Sequence, residues 1–70
     1  MANGKAKPVH KVRIGFVTAA IWKNDTFYNV TVSRSYKDGD EIKDTDSLGA
    51  GDLLNAAKAL ERAEQWISQQ

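Results

Sequence analysis

The sequence predicts an α+β domain: an antiparallel β-meander of three strands, or four if the first is divided, followed by one C-terminal helix packed on one sheet face. Three observations carry this. Residues 9–22, "VHKVRIGFVTAAIW", are rich in β-branched and aromatic side chains, which favour strands. "TFYNVTVSRSY" (26–36) continues with alternation of period two. From Asp52 the apolar period changes: Leu53, Ala56, Ala57, Leu60, Ala63 and Ile67 fall on one stripe of a helix, with Lys58, Glu61, Arg62 and Gln65 on the other side.

Residues 1–8 are small, basic and polar and hold the only proline, Pro8. They read as a disordered arm before a single domain over residues 9–70. The first strand is long for a flat sheet and contains Gly15, which predicts a bend or bulge able to split it. Asn24-Asp25 reads as a two-residue hairpin loop, because both residues tolerate positive φ. That loop pairs Trp22 with Phe27, Ile21 with Tyr28, Ala19 with Val30 and Val17 with Val32. Tyr36-Lys37-Asp38-Gly39 reads as a three-residue loop with Gly39 as the left-handed residue, pairing Arg34 with Ile42, Val32 with Asp44 and Tyr28 with Leu48. A two-residue loop there would slip the register and move Ile42 to the opposite face. "EIKDTDSL" supplies the last, weaker strand.

These registers separate two faces. Val17, Ala19, Ile21, Tyr28, Val30, Val32, Ile42 and Leu48 are expected under the helix. Phe16, Thr18, Ala20, Trp22, Phe27, Asn29, Thr31, Ser33, Lys43 and Thr45 are expected on the open face. That face is polar in the middle, with aromatics at one end.

Composition narrows the chemistry. The chain has 70 residues, no Cys and a single His, His10. Disulfides, thiolate metal sites and His-based triads lack their usual parts. No apolar run approaches the roughly 20 residues that span a bilayer, and the basic N-terminus has no apolar stretch of the kind a secretory signal needs. A cytoplasmic, bacterial-type protein is the expectation, without cofactor or metal. Two sequons, at Asn24 and Asn29, are therefore read as unglycosylated. The net charge of +1 conceals an asymmetry: residues 1–37 carry seven Lys or Arg against one acid, and residues 38–70 carry three against eight acids. Such polarity suits an anion-binding face, or attraction between the two halves within or between chains.

Two motifs invite sharper readings. "GAGD" (49–52) looks like the anion hole and catalytic Asp of ribokinase-type sugar kinases, since free N–H groups at a helix start attract anions. Small and acidic residues are also what a helix start needs for capping. A 70-residue chain with no βαβ unit cannot supply the kinase scaffold, and a motif counts only in its context. "KDGDEIKDTD" (37–46) lacks the EF-hand order, because Gly39 directly follows the first Asp; a turn and a charged edge strand account for it. Asp44 and Asp46 share a strand face, but nothing apolar surrounds them to suggest a catalytic carboxylate pair. Arg34 is expected to pair with Asp44 or a helix acid, Tyr36 to close the core, and Trp66 to pack under the first strand or against a second subunit.

The stretch "RIGFVTAAIWKND…FYNVTVSRSYKDGDEIKDTDSL…DLLNAAKALERAEQWI" resembles a group of small uncharacterised bacterial proteins that share a tIWxN…YNVTxSRSYKDGD…DT pattern. The resemblance covers Val12 to Ile67. The chain departs from it at Ile42, where an aromatic is usual, and at Leu48, where Phe is usual. It implies no catalytic residues. The order of strands then helix is also similar, in topology alone, to the single-stranded nucleic-acid-binding plan of the PC4, Whirly and Pur-type proteins, which pair as dimers. Likeness of fold does not establish function.

Two functional classes follow. The first is a non-enzymatic module that binds single-stranded DNA or RNA. Such modules combine aromatic platforms with flanking positive charge. Phe16, Trp22, Phe27 and Lys43 would serve on the open face, with Asn29, Thr31 and Ser33 as polar partners and Lys5, Lys7, Lys11 and Arg13 at phosphates. The second is a structural or interaction protein whose open face closes a homo-oligomer. A homodimer is expected in either case, because a core this small lies near the lower limit for a stable monomer.

Overall fold

A computed structural model describes residues 7–70; most of the arm expected over residues 1–8 thus lies outside the described residues. Four strands form one antiparallel sheet in the order β1-β2-β3-β4: β1 (His10–Ile14), β2 (Val17–Asn24), β3 (Phe27–Asp38) and β4 (Glu41–Thr45). A short 3-10 turn (Ala50–Asp52) leads into the helix α1 (Leu53–Ser68).

Turn chemistry sets the architecture. All three hairpins close through two-residue loops, Gly15-Phe16, Asp25-Thr26 and Gly39-Asp40, with closing pairs Ile14↔Val17, Asn24↔Phe27 and Asp38↔Glu41. In each, the first loop residue has positive φ: Gly15 at 62°, Asp25 at 49° and Gly39 at 64°. Such loops match the right-handed twist of the flanking strands. Gly15 therefore does more than bend the first strand. It divides it into two strands, giving the four-stranded form of the meander.

Two expected registers are corrected. The second hairpin turns on Asp25-Thr26, not Asn24-Asp25, so Trp22 pairs with Asn29, Ile21 with Val30, Ala19 with Val32 and Val17 with Arg34. The slip is two residues, and it leaves every side chain on its expected face. The third hairpin turns on Gly39-Asp40 with no bulge, so Arg34 pairs with Thr45, Tyr36 with Lys43 and Lys37 with Ile42. That slip is odd and exchanges the faces of β4. Ile42 moves to the open face and is 71% exposed; Lys43 and Thr45 move to the helix side. An ion-paired cluster accompanies this register: Lys43 Nζ lies 2.9 Å from Asp38 Oδ2 and 3.8 Å from Glu41 Oε1.

Helix α1 packs on β1 and β2 and only marginally on β3. Val17, Ala19, Ile21, Ala56, Ala59 and Ala63 form the buried core, with Val12, Ile14, Tyr28, Val30, Val32, Leu48, Trp66 and Ile67 packed around it. The helix is rotated from the expected stripe. Ala59 is buried in place of Ala57, while Leu53 and Leu60 are 54% and 44% exposed. The alanines bring the helix axis close to the sheet, where leucine would hold it off. Trp66 then stacks on His10 of β1, with ring centroids 4.8 Å apart, and meets Tyr28 edge-on. Asn55 lies over the first hairpin, where a Cβ at Gly15 would stand 2.6 Å from its Nδ2 atom. Glycine is needed there for φ, and a Cβ would also displace the Asn55 amide.

Arg34 joins sheet to helix. Its Nε lies 3.2 Å from Asp52 Oδ2 and donates to the Ser47 carbonyl at 3.2 Å. Asp52 Oδ2 also accepts the Gly49 N–H at 2.9 Å. The acid of the "GAGD" motif thus holds the helix entry and an arginine of β3, as capping requires.

Candidate nucleic-acid interface

The face away from the helix is built from alternate residues of four strands: Lys11 and Arg13 on β1; Thr18, Ala20 and Trp22 on β2; Phe27 to Lys37, odd numbers only, on β3; and Ile42 and Asp44 on β4. Small residues at the centre keep the floor low. Ala20 is buried there without any cover from the helix. A shallow depression of about 450 Å³ results, with Trp22 and Thr31 towards one end, Lys11 and Arg13 along one side, and Ser35 and Asp44 at the other end.

Trp22 is half-buried, and its indole Nε1 donates to Thr31 Oγ1 at 2.9 Å. Thr31 lies diagonally across from Trp22 on β3, so the bond holds the ring over the sheet. The hydroxyl satisfies the only polar atom of the indole and leaves ring surface for an apolar or aromatic ligand. On β1, Arg13 donates through Nε to the Gly15 carbonyl at 3.0 Å, which fixes the base of the guanidinium. Neither Lys11 nor Arg13 has an ion-pair partner among the described residues.

β3 continues past the first hairpin. Its last strand-strand pair with β2 is Val17↔Arg34, and beyond it β3 and β4 project as a two-stranded ribbon. Between this ribbon and the Gly15-Phe16 loop lies a second cavity of about 460 Å³, lined by Arg13, Phe16, Arg34, Ser35, Tyr36, Lys37 and Ile42. Phe16 and Ile42 are 64% and 71% exposed and form its apolar part. The Ser35 N–H donates to the Phe16 carbonyl at 2.9 Å, which ties the loop to the ribbon. Arg13 and Ser35 line both cavities, so the two form one track along the sheet.

Of the expected site residues, Trp22, Thr31, Lys11 and Arg13 surround the depression, and Phe16 joins Arg13 in the second cavity. Asn29 sits beside Trp22. Phe27 shares the face and is 56% exposed, but it is not the cross-strand partner of Trp22. It pairs with Asn24 at the hairpin end, because the loop lies one residue later than expected. Lys43 is not on this face at all: the Gly39-Asp40 loop turns it to the helix side, into the ion pairs with Asp38 and Glu41. In its place the face gains Ile42, with Lys37 and Ser35 opposite β4 on β3. The two-residue loop was the signal that would have found them.

Among the described residues no cluster of His, Asp and Glu is arranged to hold a metal ion, and no helix is long and apolar enough to cross a membrane. Comparison of the chain with known protein families, with curated proteins and with solved structures finds no match.

Proposed function

We propose that the protein is a small cytoplasmic binding module, without enzymatic activity of its own, that takes up single-stranded DNA or RNA on the open sheet face. The observation that carries this reading is Trp22, held over the sheet by its bond to Thr31 beside Lys11 and Arg13, which have no ion-pair partner among the described residues. A ring fixed by its edge with cations alongside suits a base stacked over its phosphate. The polar lining, Thr18, Thr31, Ser33 and Ser35, adapts to any base, which favours weak sequence preference. The competing use of the same face is as an oligomer contact.

Titration with oligo-dT at low salt decides between them. Stacking should quench Trp22 fluorescence, and Trp22→Ala should weaken binding about tenfold or more, since stacking is worth about 1–3 kcal/mol per base. Affinity should fall steeply with salt as phosphate counterions are released. Unchanged fluorescence together with no complex in a gel shift would remove the nucleic-acid reading and leave the oligomer contact.

A further inference from the structure

The unusual feature of the sheet is how little of β3 is paired on its outer side. β3 runs from Phe27 to Asp38, but β4 pairs only with Arg34 to Asp38. Over residues 27–33 no strand lies on that side among the described residues. The Ser35 N–H points to β2, where it donates to the Phe16 carbonyl. Along an antiparallel strand the direction alternates, so the N–H and C=O groups of Tyr28, Val30 and Val32 point to the open edge. Exposed groups of this kind are a template for another strand.

Charge says which strand. The two outermost strands are guarded: β1 carries Lys11 and Arg13, and β4 carries Glu41, Lys43 and Asp44. Self-pairing of β1 about Val12 would set Lys11 against the partner's Arg13, and charged side chains along β4 discourage pairing at that edge. Residues 26–33, "TFYNVTVS", contain no charge and are rich in β-formers. An antiparallel strand can pair with its own copy about a twofold axis, which needs no second surface.

We infer that two copies of this chain pair through the free half of β3, antiparallel and centred on Val30. This is the register that uses every outward group. Val30 exchanges both hydrogen bonds with the partner's Val30, and Tyr28 and Val32 each do so with the other's counterpart. All three residues are partly buried hydrophobics on the helix side, so the cross-strand neighbours there are apolar. Pairing stops where Thr26 reaches the level of the partner's Thr45, which already occupies that side of Arg34. The open faces of both copies then lie on one side of a continuous sheet. Phe27 comes opposite the partner's Ser33, in one row with the partner's Thr18 and Arg13. The pairing stands on the free edge alone, whereas the use of Phe27 as part of the partner's track rests on the single-strand binding proposed above.

Light scattering and sedimentation of the full chain, without nucleic acid, test the pairing. Wild type should be a dimer at micromolar concentration. In this register Asn29 faces the partner's Thr31, and both side chains are exposed on the open face. Asn29→Glu with Thr31→Glu sets carboxylates against each other twice across the axis, and should weaken the dimer about tenfold or more. Asn29→Lys with Thr31→Glu sets opposite charges together in the same two places and should restore it. Amide exchange should show Tyr28, Val30 and Val32 protected in the dimer. A wild-type monomer at high micromolar concentration would overturn the inference. So would a dimer that ignores both pairs of substitutions, or one that dissociates only on charge reversal at Lys11, Arg13 or Asp44, which would place the contact between β1 and β4. For a chain that dimerises, oligo-dT binding is a separate readout: its absence would remove the proposed function and the role of Phe27 while leaving the pairing intact.

Discussion

Replacing Asp52 by Ala tests whether the acid of the "GAGD" motif serves structure. Two contacts would be lost: the ion pair with Arg34 at 3.2 Å and the acceptor for the Gly49 N–H at 2.9 Å. A hydrogen bond to a charged group contributes about 1.5–3 kcal/mol. The Arg34 and Asp52 side chains are 30% and 19% exposed, and solvent screening lowers the pair to about 1 kcal/mol. Loss of the capping acceptor adds about 1 kcal/mol. The expected total of about 2 kcal/mol corresponds to a fall in Tm of roughly 10 °C for a domain of this size. Asp52→Asn keeps an oxygen for Gly49 and should cost about half as much. In a double-mutant cycle with Arg34→Met, melting curves should show a coupling of about 1 kcal/mol. If Asp52→Ala melts with wild type, the clasp contributes nothing and the carboxylate is free for another role; additive changes would remove the Arg34 pair alone.

The remaining expectations probe the turns and the face. Gly15→Ala should destabilise by about 1–2 kcal/mol from the left-handed backbone alone, and shortening Asn55 to Ala should relieve any further loss; equal melting of Gly15→Ala and wild type would contradict the first hairpin. Ile42→Thr should leave stability within about 0.5 kcal/mol, because the side chain is exposed; a loss typical of a core residue would favour the three-residue loop. Lys43→Glu should leave oligo-dT affinity nearly unchanged, whereas Arg13→Glu should weaken it and flatten its salt dependence; the reverse order would place Lys43 on the open face. Purified protein should transfer no phosphate from ATP to a sugar, and transfer abolished by Asp52→Ala would contradict the capping role.

The fold was legible because its signals are periodic. Alternation along residues 26–36 and the change of period at Asp52 need no knowledge of turns. The site was less legible because it depends on the parity of a loop. Asn24, Asp25 and Thr26 offer two overlapping loops, and choosing the earlier one displaced each partner by two. The earlier loop sets Phe27 opposite Trp22, whereas the true one pairs Trp22 with Asn29 and Phe27 with Asn24, with neither moved to another face. At Lys37-Asp38-Gly39-Asp40 the glycine fits two loop geometries. The chosen one was odd with respect to the true one, so Ile42 and Lys43 exchanged places. The helix misled in a different way. Leucines outweigh alanines in an apolar stripe, but close contact with the sheet selects for small volume, so Ala59 is buried while Leu60 is not.

The loop at Gly39-Asp40 also decides how the charge asymmetry of the chain is spent in space. With Lys43 turned to the helix side and neutralised by Asp38 and Glu41, β4 gives the open face one charge, Asp44, and that acid accepts a hydrogen bond from Ser35 at 3.1 Å. Among the described residues, the cations of the face without an ion-pair partner are Lys11 and Arg13 on β1 and Lys37 at the ribbon. On the proposed binding, a polyanion lying on the sheet would be drawn to the β1 side and to the first hairpin, and away from Asp44 on β4. The aromatic groups follow the same line: Trp22 lies at one end of the depression and Phe16 at the mouth of the second cavity, with Arg13 between them. On the proposed single-strand binding, a strand along this line would cross β2 rather than β4, and its bases would meet the low floor of Thr18 and Ala20.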